Sequence, residues 1–189
     1  PAPRFPWMHY KSDLRDVLFN LFEFFDVGRN SLGRPPFTAM DETTAREVLT
    51  NFERICTEEL AASFEEADRT PLKLDSDGNV TLPDALKRSL ATFFEGGWHM
   101  LDLPEHLGGM GAPPSIRWGA FEFIAGANPP VAFYVFGNFI ASIIDRLGTA
   151  SQKKRFVKNM VERHWGGSMV LTEPDARSEE HTSELQSLR

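Results

Sequence analysis

The residues best suited to chemistry lie near the end of the chain, in residues 166–176. This is the one place where the sequence leaves helical periodicity for an apolar run, which closes in a Thr172-Glu173-Pro174 turn. Pro174 fixes its own φ and pushes Glu173 out of the α region. The run therefore predicts a strand or an extended edge that carries a hydroxyl and a carboxylate at its end.

Other residue types that could hold a metal lack the spacing that a metal site needs. His99 and His106 stand at no ligand spacing from Cys or carboxylates, so both are predicted to pack in a loop. An EF-hand loop requires Gly at position six and Glu at position twelve. Counted from Asp75, Gly78 is fourth and position twelve is Leu86. The acidic stretch is better explained as the turn of a small hairpin, and no metal site is predicted.

Two further motifs are also weak. Gly108, Gly109 and Gly111 predict a tight bend, but no strand precedes them and their spacing is wrong for dinucleotide binding. Cys56 is the single cysteine, which excludes an intramolecular disulfide framework and suits a reducing compartment.

Composition narrows the class of protein. The 189 residues carry a net charge of −7, which argues against a nucleic-acid partner. With 41% hydrophobic residues and 16 Phe, the chain can bury a substantial core. We expect a cytoplasmic protein with no membrane span, because no apolar run is as long as a bilayer requires.

The sequence before the extended run of residues 166–176 predicts helices, which must hold that run in place. Apolar residues recur with helical spacing in residues 10–26, with Ser12 as the predicted N-cap, and again from Asp41 onward. Phe19 and Phe24 fall outside the first apolar stripe, so a second covered surface is predicted there. Further helices are predicted over 84–95 and from Ser115.

Two more predicted helices lead to the extended run of residues 166–176. Residues 131–147 are apolar nearly all round, which predicts a central helix buried on every face. If any helix lines an apolar ligand cavity, it is this one; pure core packing is the alternative. Thr149 and Gln152 then form a capping box that opens the last helix.

Several of these motifs together resemble the N-terminal half of an acyl-CoA dehydrogenase. Gly148-Thr149 with Gln152-Lys153 and Phe156, followed by the 171–174 run, is similar to that family's passage from its helical domain to its β domain. Residues 103–111 resemble its Pro-Glu-aromatic-Gly-Gly-x-Gly loop, with Leu107 at the aromatic position. Residues 8–16 are similar to the extra segment of a bacterial branch that includes broad-range fatty acyl-CoA and methylthiopropionyl-CoA dehydrogenases.

The resemblance implies an all-α fold, a helical bundle with only the start of the following β domain. It divides the chain into a non-native or disordered leader (1–7), a helical extension (8–40), the N-terminal α-helical domain (41–165) and the start of the middle β domain (166–176). Residues 177–189 look like the translation of a sequencing-library adapter and are expected to be a read-through tail.

The resemblance also implies the chemistry: FAD-dependent α,β-dehydrogenation of a fatty acyl-CoA to the trans-2-enoyl-CoA. Met169, Val170, Leu171 and Thr172 match the stretch that lies along the flavin, and a plain first strand is the alternative reading. Glu173 matches a turn residue. The catalytic base of the family is a Glu far downstream, so no catalytic residue is predicted here. Electron-transfer flavoprotein as electron acceptor and a homo-oligomeric state are implied for the complete protein.

The expected consequence is an inactive fragment with little or no FAD binding. Two other readings stay open: a non-catalytic helical module that binds acyl groups or serves as a scaffold, and an acyl-CoA oxidase on the same scaffold.

Overall fold

Ten α-helical segments and one short hairpin make up most of the regular structure of residues 9–168, the part of the chain that the computed structural model describes. The all-α prediction is confirmed. The first five segments are α1 (Leu14–Leu18), α2 (Val27–Asn30), α3 (Glu42–Ile55), α4 (Ala61–Arg69) and α5 (Asp84–Glu95). The others are α6 (Pro114–Ala127), α7 (Pro129–Tyr134), α8 (Phe136–Leu147), α9 (Ala150–Gln152) and α10 (Lys158–Glu162).

Three π-helical segments make some of these helices continuous. Phe19–Phe24 extends α1, Cys56–Leu60 joins α3 to α4, and Lys153–Val157 joins α9 to α10. The periodicity that predicts one long helix after Asp41 is therefore confirmed, with a local widening in its middle.

The helix starts follow from side-chain capping. The Asp41 carboxylate accepts a hydrogen bond from the backbone N–H of Thr44 at 2.7 Å, and Thr149 and Gln152 form the predicted capping box. The prediction of Ser12 as a cap is wrong: Asp13 accepts from the backbone N–H of Asp16 at 3.0 Å. The Ser12 hydroxyl instead donates to the Glu53 carboxylate across the bundle.

The hairpin between α4 and α5 is the predicted one. β1 (Lys73–Leu74) pairs antiparallel with β2 (Val80–Thr81), and Asp75 accepts hydrogen bonds from the backbone N–H groups of Asp77 and Asn79. The acidic side chain thus shapes the turn.

The main core lies among α1, α3, α5, α6 and α7. Its most deeply buried large side chains include Leu49, Leu60, Phe93, Ile116 and Phe123. A second, smaller cluster connects the 97–112 loop, α8 and the last helix; it consists of Leu103, Ala141, Val157, Met160 and Val161.

A buried polar contact holds the widened part of the long helix. The Asn128 amide donates to the Leu60 carbonyl at 3.0 Å and to the Ser63 hydroxyl at 3.1 Å, while its Oδ1 caps α7 at the backbone N–H of Val131. Asn128 is fully buried. One side chain therefore ties α6 and α7 to the long helix.

Residues 131–147 do not form the helix buried on every face that their composition predicts. Val135 separates α7 from α8, and only 28% of the most apolar window of residues 129–147 is buried. By length and composition this one stretch would also suffice to cross a membrane, as the core helices of soluble proteins often do. Its outer side is exposed, because residues 9–168 contain nothing that covers it.

The predicted extended run begins without regular structure. Residues 166–168 form no strand, and residues 169–176 lie outside the described part of the chain, as do 1–8 and 177–189. The proposed domain boundaries stay predictions.

Candidate functional site

The site is built on the two sides of α7 and α8. Gly137, Asn138 and Ala141 of α8 face inward, and the Asn138 amide donates to the carbonyl oxygen of His99 at 2.6 Å. On the outer side, the Phe133 side chain is 70% exposed and its ring stacks with that of Phe136 at a centroid distance of 6.0 Å. The bond from Asn138 to His99, together with the burial of Gly137 and Ala141, defines the inward side of α8.

The exposed rings continue into an apolar cavity of about 60 Å³ between α5, α6 and α8. Ten of its thirteen lining residues are large apolar or aromatic: Phe52, Phe93, Trp98, Leu101, Trp118, Phe121, Ile124, Val135, Phe136 and Phe139. An apolar cavity of about 150 Å³ holds a benzene molecule, so this one accepts about two carbon atoms. Phe136 belongs both to the outer row and to the cavity, which makes the two surfaces continuous.

A charged pair stands at the cavity wall. Arg117 Nε lies 3.3 Å from Asp102 Oδ2, and the two side chains are only 18% and 17% exposed. The Arg117 guanidinium also lies over the Trp118 ring, 4.1 Å from its centroid, and 5.1 Å from that of Phe139. Burial raises the pKa of the Asp102 carboxyl, and Arg117 opposes this rise only in part. Desolvation is therefore the larger effect at this pair.

Asp102 also lines a second cleft. This cleft lies on the other side of the 97–112 loop and is lined by Pro36, Phe37, Ala39, Pro104, Glu105, His106, Gly111 and Ala112. The ion pair therefore stands between the aromatic cavity and a more polar surface. An apolar chain that enters the cavity from α8 meets charge at this end.

The segment after α10 lies against this site. The His164 ring stacks on Phe94 with centroids 4.1 Å apart and lies edge-on to the His99 ring at 4.9 Å. A β-carbon at Gly137 would overlap the Trp165 carbonyl oxygen, and one at Gly167 would overlap the Ile140 side chain. Residues 164–167 thus follow α8 closely.

The prediction that both loop histidines pack is confirmed for His99 and wrong for His106, which lies at the surface. His99 is buried, and burial with a smaller contribution from His164 lowers its pKa to about 4, so its ring is neutral at neutral pH. Its Nδ1 has no hydrogen-bond partner among the described residues. His106 is exposed, and its Nε2 lies 2.8 Å from Asp145 Oδ2.

The predicted cofactor residues Met169, Val170, Leu171 and Thr172 lie outside the described residues. The described part of the chain ends at Ser168. The residue before it, Gly167, contacts Ile140 of α8. The chain therefore approaches the predicted cofactor edge along the helix that was expected to line a ligand cavity.

The glycine-rich loop of residues 108–111 does not offer a cradle for the phosphates of a dinucleotide. The backbone N–H groups of residues 108–111 all donate within the loop, to carbonyl groups of Glu105, Pro104, Met100 and Leu103 respectively. No donor is left there for a pyrophosphate, which agrees with the reading of the glycines as a bend. Within residues 9–168 no group of three metal-ligating side chains occurs.

Sequence reasoning missed the Asp102–Arg117 pair and the roles of Gly137 and His164. The one hint in the sequence was the position of Arg117, a charged residue directly between the apolar residues Ile116 and Trp118. Pairs of residues this far apart in the chain meet only through the fold.

Comparisons with known proteins agree with the predicted resemblance. The family described as acyl-CoA dehydrogenase, N-terminal domain, matches residues 42–164. The broad-specificity linear acyl-CoA dehydrogenase FadE5 of Mycobacterium tuberculosis is 43% identical over 172 residues, which are 90% of this chain and 28% of that protein.

Two other relatives belong to the same class of enzyme. The 3-methylmercaptopropionyl-CoA dehydrogenase of Ruegeria pomeroyi is 29% identical over 91% of this chain and 29% of its own length. A butyryl-CoA dehydrogenase of Syntrophomonas wolfei is 27% identical over 90% of this chain and 28% of its own. The chain thus spans less than a third of the length of the curated relatives that it matches.

Proposed function

The chain belongs to the acyl-CoA dehydrogenase family, and from this premise we propose that it is the N-terminal helical part of an FAD-dependent enzyme. The enzyme removes two hydrogens from the Cα–Cβ bond of a fatty acyl-CoA thioester and yields the trans-2-enoyl-CoA. Bound FAD supplies the hydride acceptor. The general base lies outside this chain, as the resemblance implies, and so do most walls of the active site.

One observation carries the proposal. The aromatic row, exposed at Phe133 on α7 and half-buried at Phe136 on α8, is continuous with the apolar cavity, and the segment that leads to residues 169–172 lies along α8. This arrangement suits an alkyl chain that runs beside a flavin edge. If α8 served only as a core helix, its position would not explain the apolar cavity behind Phe136.

In this proposal the described residues bind, orient and exclude water. The Phe133–Phe136 row forms one wall of the acyl channel, and about two terminal carbons enter the cavity behind Phe136. Holding the reacting bond between the hydride acceptor and the base, out of water, is the protein's main contribution to the rate.

The test uses the full-length protein that carries this domain. Anaerobic addition of a panel of acyl-CoAs of increasing chain length is expected to bleach the flavin absorbance with at least one member. If no chain length bleaches a flavin-loaded protein, the dehydrogenase proposal is wrong. Slow reoxidation of the reduced flavin after oxygen is admitted, with electron transfer to an electron-transfer flavoprotein, would indicate a dehydrogenase. Rapid reoxidation by oxygen with release of hydrogen peroxide would indicate an oxidase.

We further propose that the 189-residue chain alone is inactive and binds little FAD, because one wall cannot enclose an isoalloxazine ring. Purified chain is expected to be colourless. Tight, stoichiometric yellow flavin on it would refute this proposal. For the complete protein, we propose a cytoplasmic homo-oligomer.

A second function is favoured by the cavity itself. The cavity is lined by described residues, so a non-catalytic acyl-binding module is the alternative. Trp98 and Trp118 line it, so binding of an acyl-CoA to the chain should change the tryptophan fluorescence. Acyl binding by the chain, with no flavin chemistry in any longer form, would favour this alternative.

A further inference from the structure

The segment 164–167 lies on the surface of the helical bundle and contacts it at several points. Only Ser168 separates it from residues 169–172, the predicted cofactor edge. Its position therefore determines where that edge begins. Two of these contacts involve Gly137 on α8 and His164 at the start of the segment.

Gly137 permits a close approach of two backbones. It is buried inside α8, and an added β-carbon would overlap the Trp165 carbonyl oxygen and lie 3.6 Å from Gly166 Cα. Glycine inside a helix is less favourable than alanine, because it loses more conformational freedom on folding. The less favourable residue, Gly137, occurs in α8 where the segment 164–167 crosses it.

His164 holds the segment from the other side. Its φ is +53°, in the left-handed region that residues other than glycine seldom adopt. Its ring stacks on Phe94 at 4.1 Å with an interplanar angle of 23°, and its edge contact to His99 is at 4.9 Å. The stacking offsets the unfavourable backbone conformation and turns the chain toward α8.

We propose that Gly137 and His164 are positioning residues that set the path of the chain into the cofactor-facing edge. The link to FAD rests on the proposed function; the packing itself does not. A β-carbon at Gly137 displaces the Trp165 backbone by about 1 Å, a misplacement that can lower an enzymatic rate about 100-fold. Neither residue touches the reacting atoms in this proposal.

The first measurement is amide hydrogen exchange on the chain as it stands, which needs no cofactor. Gly137→Ala is expected to speed exchange in the segment 164–168. Gly119→Ala on α6 is the matched control, because its β-carbon would meet only side-chain atoms, the nearest being Leu21 Cδ1 at 3.1 Å. Equal exchange in both variants would overturn the proposal.

The second measurement uses the full-length protein with FAD. Gly137→Ala is expected to weaken FAD binding at least tenfold, to shift the flavin absorbance or its reduction potential, and to slow flavin reduction by acyl-CoA about 100-fold. Gly119→Ala should leave these readouts within twofold of the wild type. A Gly137→Ala variant with unchanged affinity, spectrum and rate would overturn the positioning role.

His164 is tested by a pair of replacements that share the same backbone strain. His164→Ala removes the stacking on Phe94, whereas His164→Phe keeps it. We expect faster exchange and weaker FAD binding in the alanine variant and recovery of both in the phenylalanine variant. Identical behaviour of the two variants would exclude stacking as the cause. If the wild-type full-length protein binds no FAD, the proposed function fails, and the exchange data still decide the packing.

Discussion

Replacement of Arg117 by Met tests the charged end of the aromatic cavity. The methionine keeps an apolar stem against Trp118 and removes only the guanidinium, so the Asp102 carboxylate is left without its partner. Breaking a fully buried pair costs about 3–5 kcal/mol. Because these side chains are 18% and 17% exposed, we expect a loss of about 2–3 kcal/mol in the free energy of unfolding at neutral pH.

This loss should depend on pH, and the sign follows from Asp102. Its pKa is raised above the ordinary value of 3.8 by burial, and Arg117 holds that rise in check. Because the pKa of Asp102 is higher in the folded chain than in the unfolded chain, protonation of Asp102 stabilises the fold. This stabilisation is fully present below the unfolded-state pKa and is lost as the pH rises through the folded-state pKa. Removal of Arg117 raises the pKa further. The deficit relative to wild type should therefore be largest near pH 7 and shrink toward about pH 4.

Urea unfolding followed by circular dichroism, at both pH values, measures the effect. Arg15→Met is the control, because Arg15 and Glu23 form an exposed pair whose side chains are 69% and 52% accessible, and it should cost under about 1 kcal/mol. The Asp102→Leu/Arg117→Met double variant should lose less than the sum of the single variants, with a coupling of about 0.5–3 kcal/mol. An additive cycle, or a deficit of equal size at both pH values, would refute the reasoning.

Further predictions concern stability, reactivity and substrate. Asn128→Ala should lower the free energy of unfolding by about 1–3 kcal/mol in a thermal or urea melt, since it leaves buried backbone groups unpaired, whereas Asn51→Ala on an exposed face should change it by under about 0.5 kcal/mol. Equal effects would contradict the buried contact. Cys56 should resist alkylation in the native chain and react after unfolding, because burial raises the pKa of its thiol; rapid native labelling, read by mass spectrometry, would contradict this. In the full-length protein, Phe136→Ala should enlarge the cavity and shift the preference in kcat/KM toward longer acyl chains, and an unchanged chain-length profile would remove Phe136 from the acyl channel.

Much of the fold follows from local rules that act within a few residues. The Asp41 cap, the Thr149–Gln152 capping box and the hairpin turn at Asp75 each depend on side chains that bond to nearby backbone, so sequence alone predicts them. Helical periodicity likewise predicts the apolar side of the long helix. The Ser12 prediction failed because two adjacent residues could cap the same helix, and a contact with Glu53, distant in sequence, decided between them.

The sequence alone also indicated the family, because motifs in a fixed order and at fixed spacing can be recognised without the tertiary structure. Tertiary structure decided the site. Residues 131–147 look uniformly apolar, and the buried side of α8 is set by the bond from Asn138 to His99 and by the packing of Ala141 in the second apolar cluster. The meeting of Asp102 with Arg117, and of Gly137 with Trp165, joins residues far apart in the chain. Periodicity reports burial along one element, whereas such contacts depend on how separate elements pack.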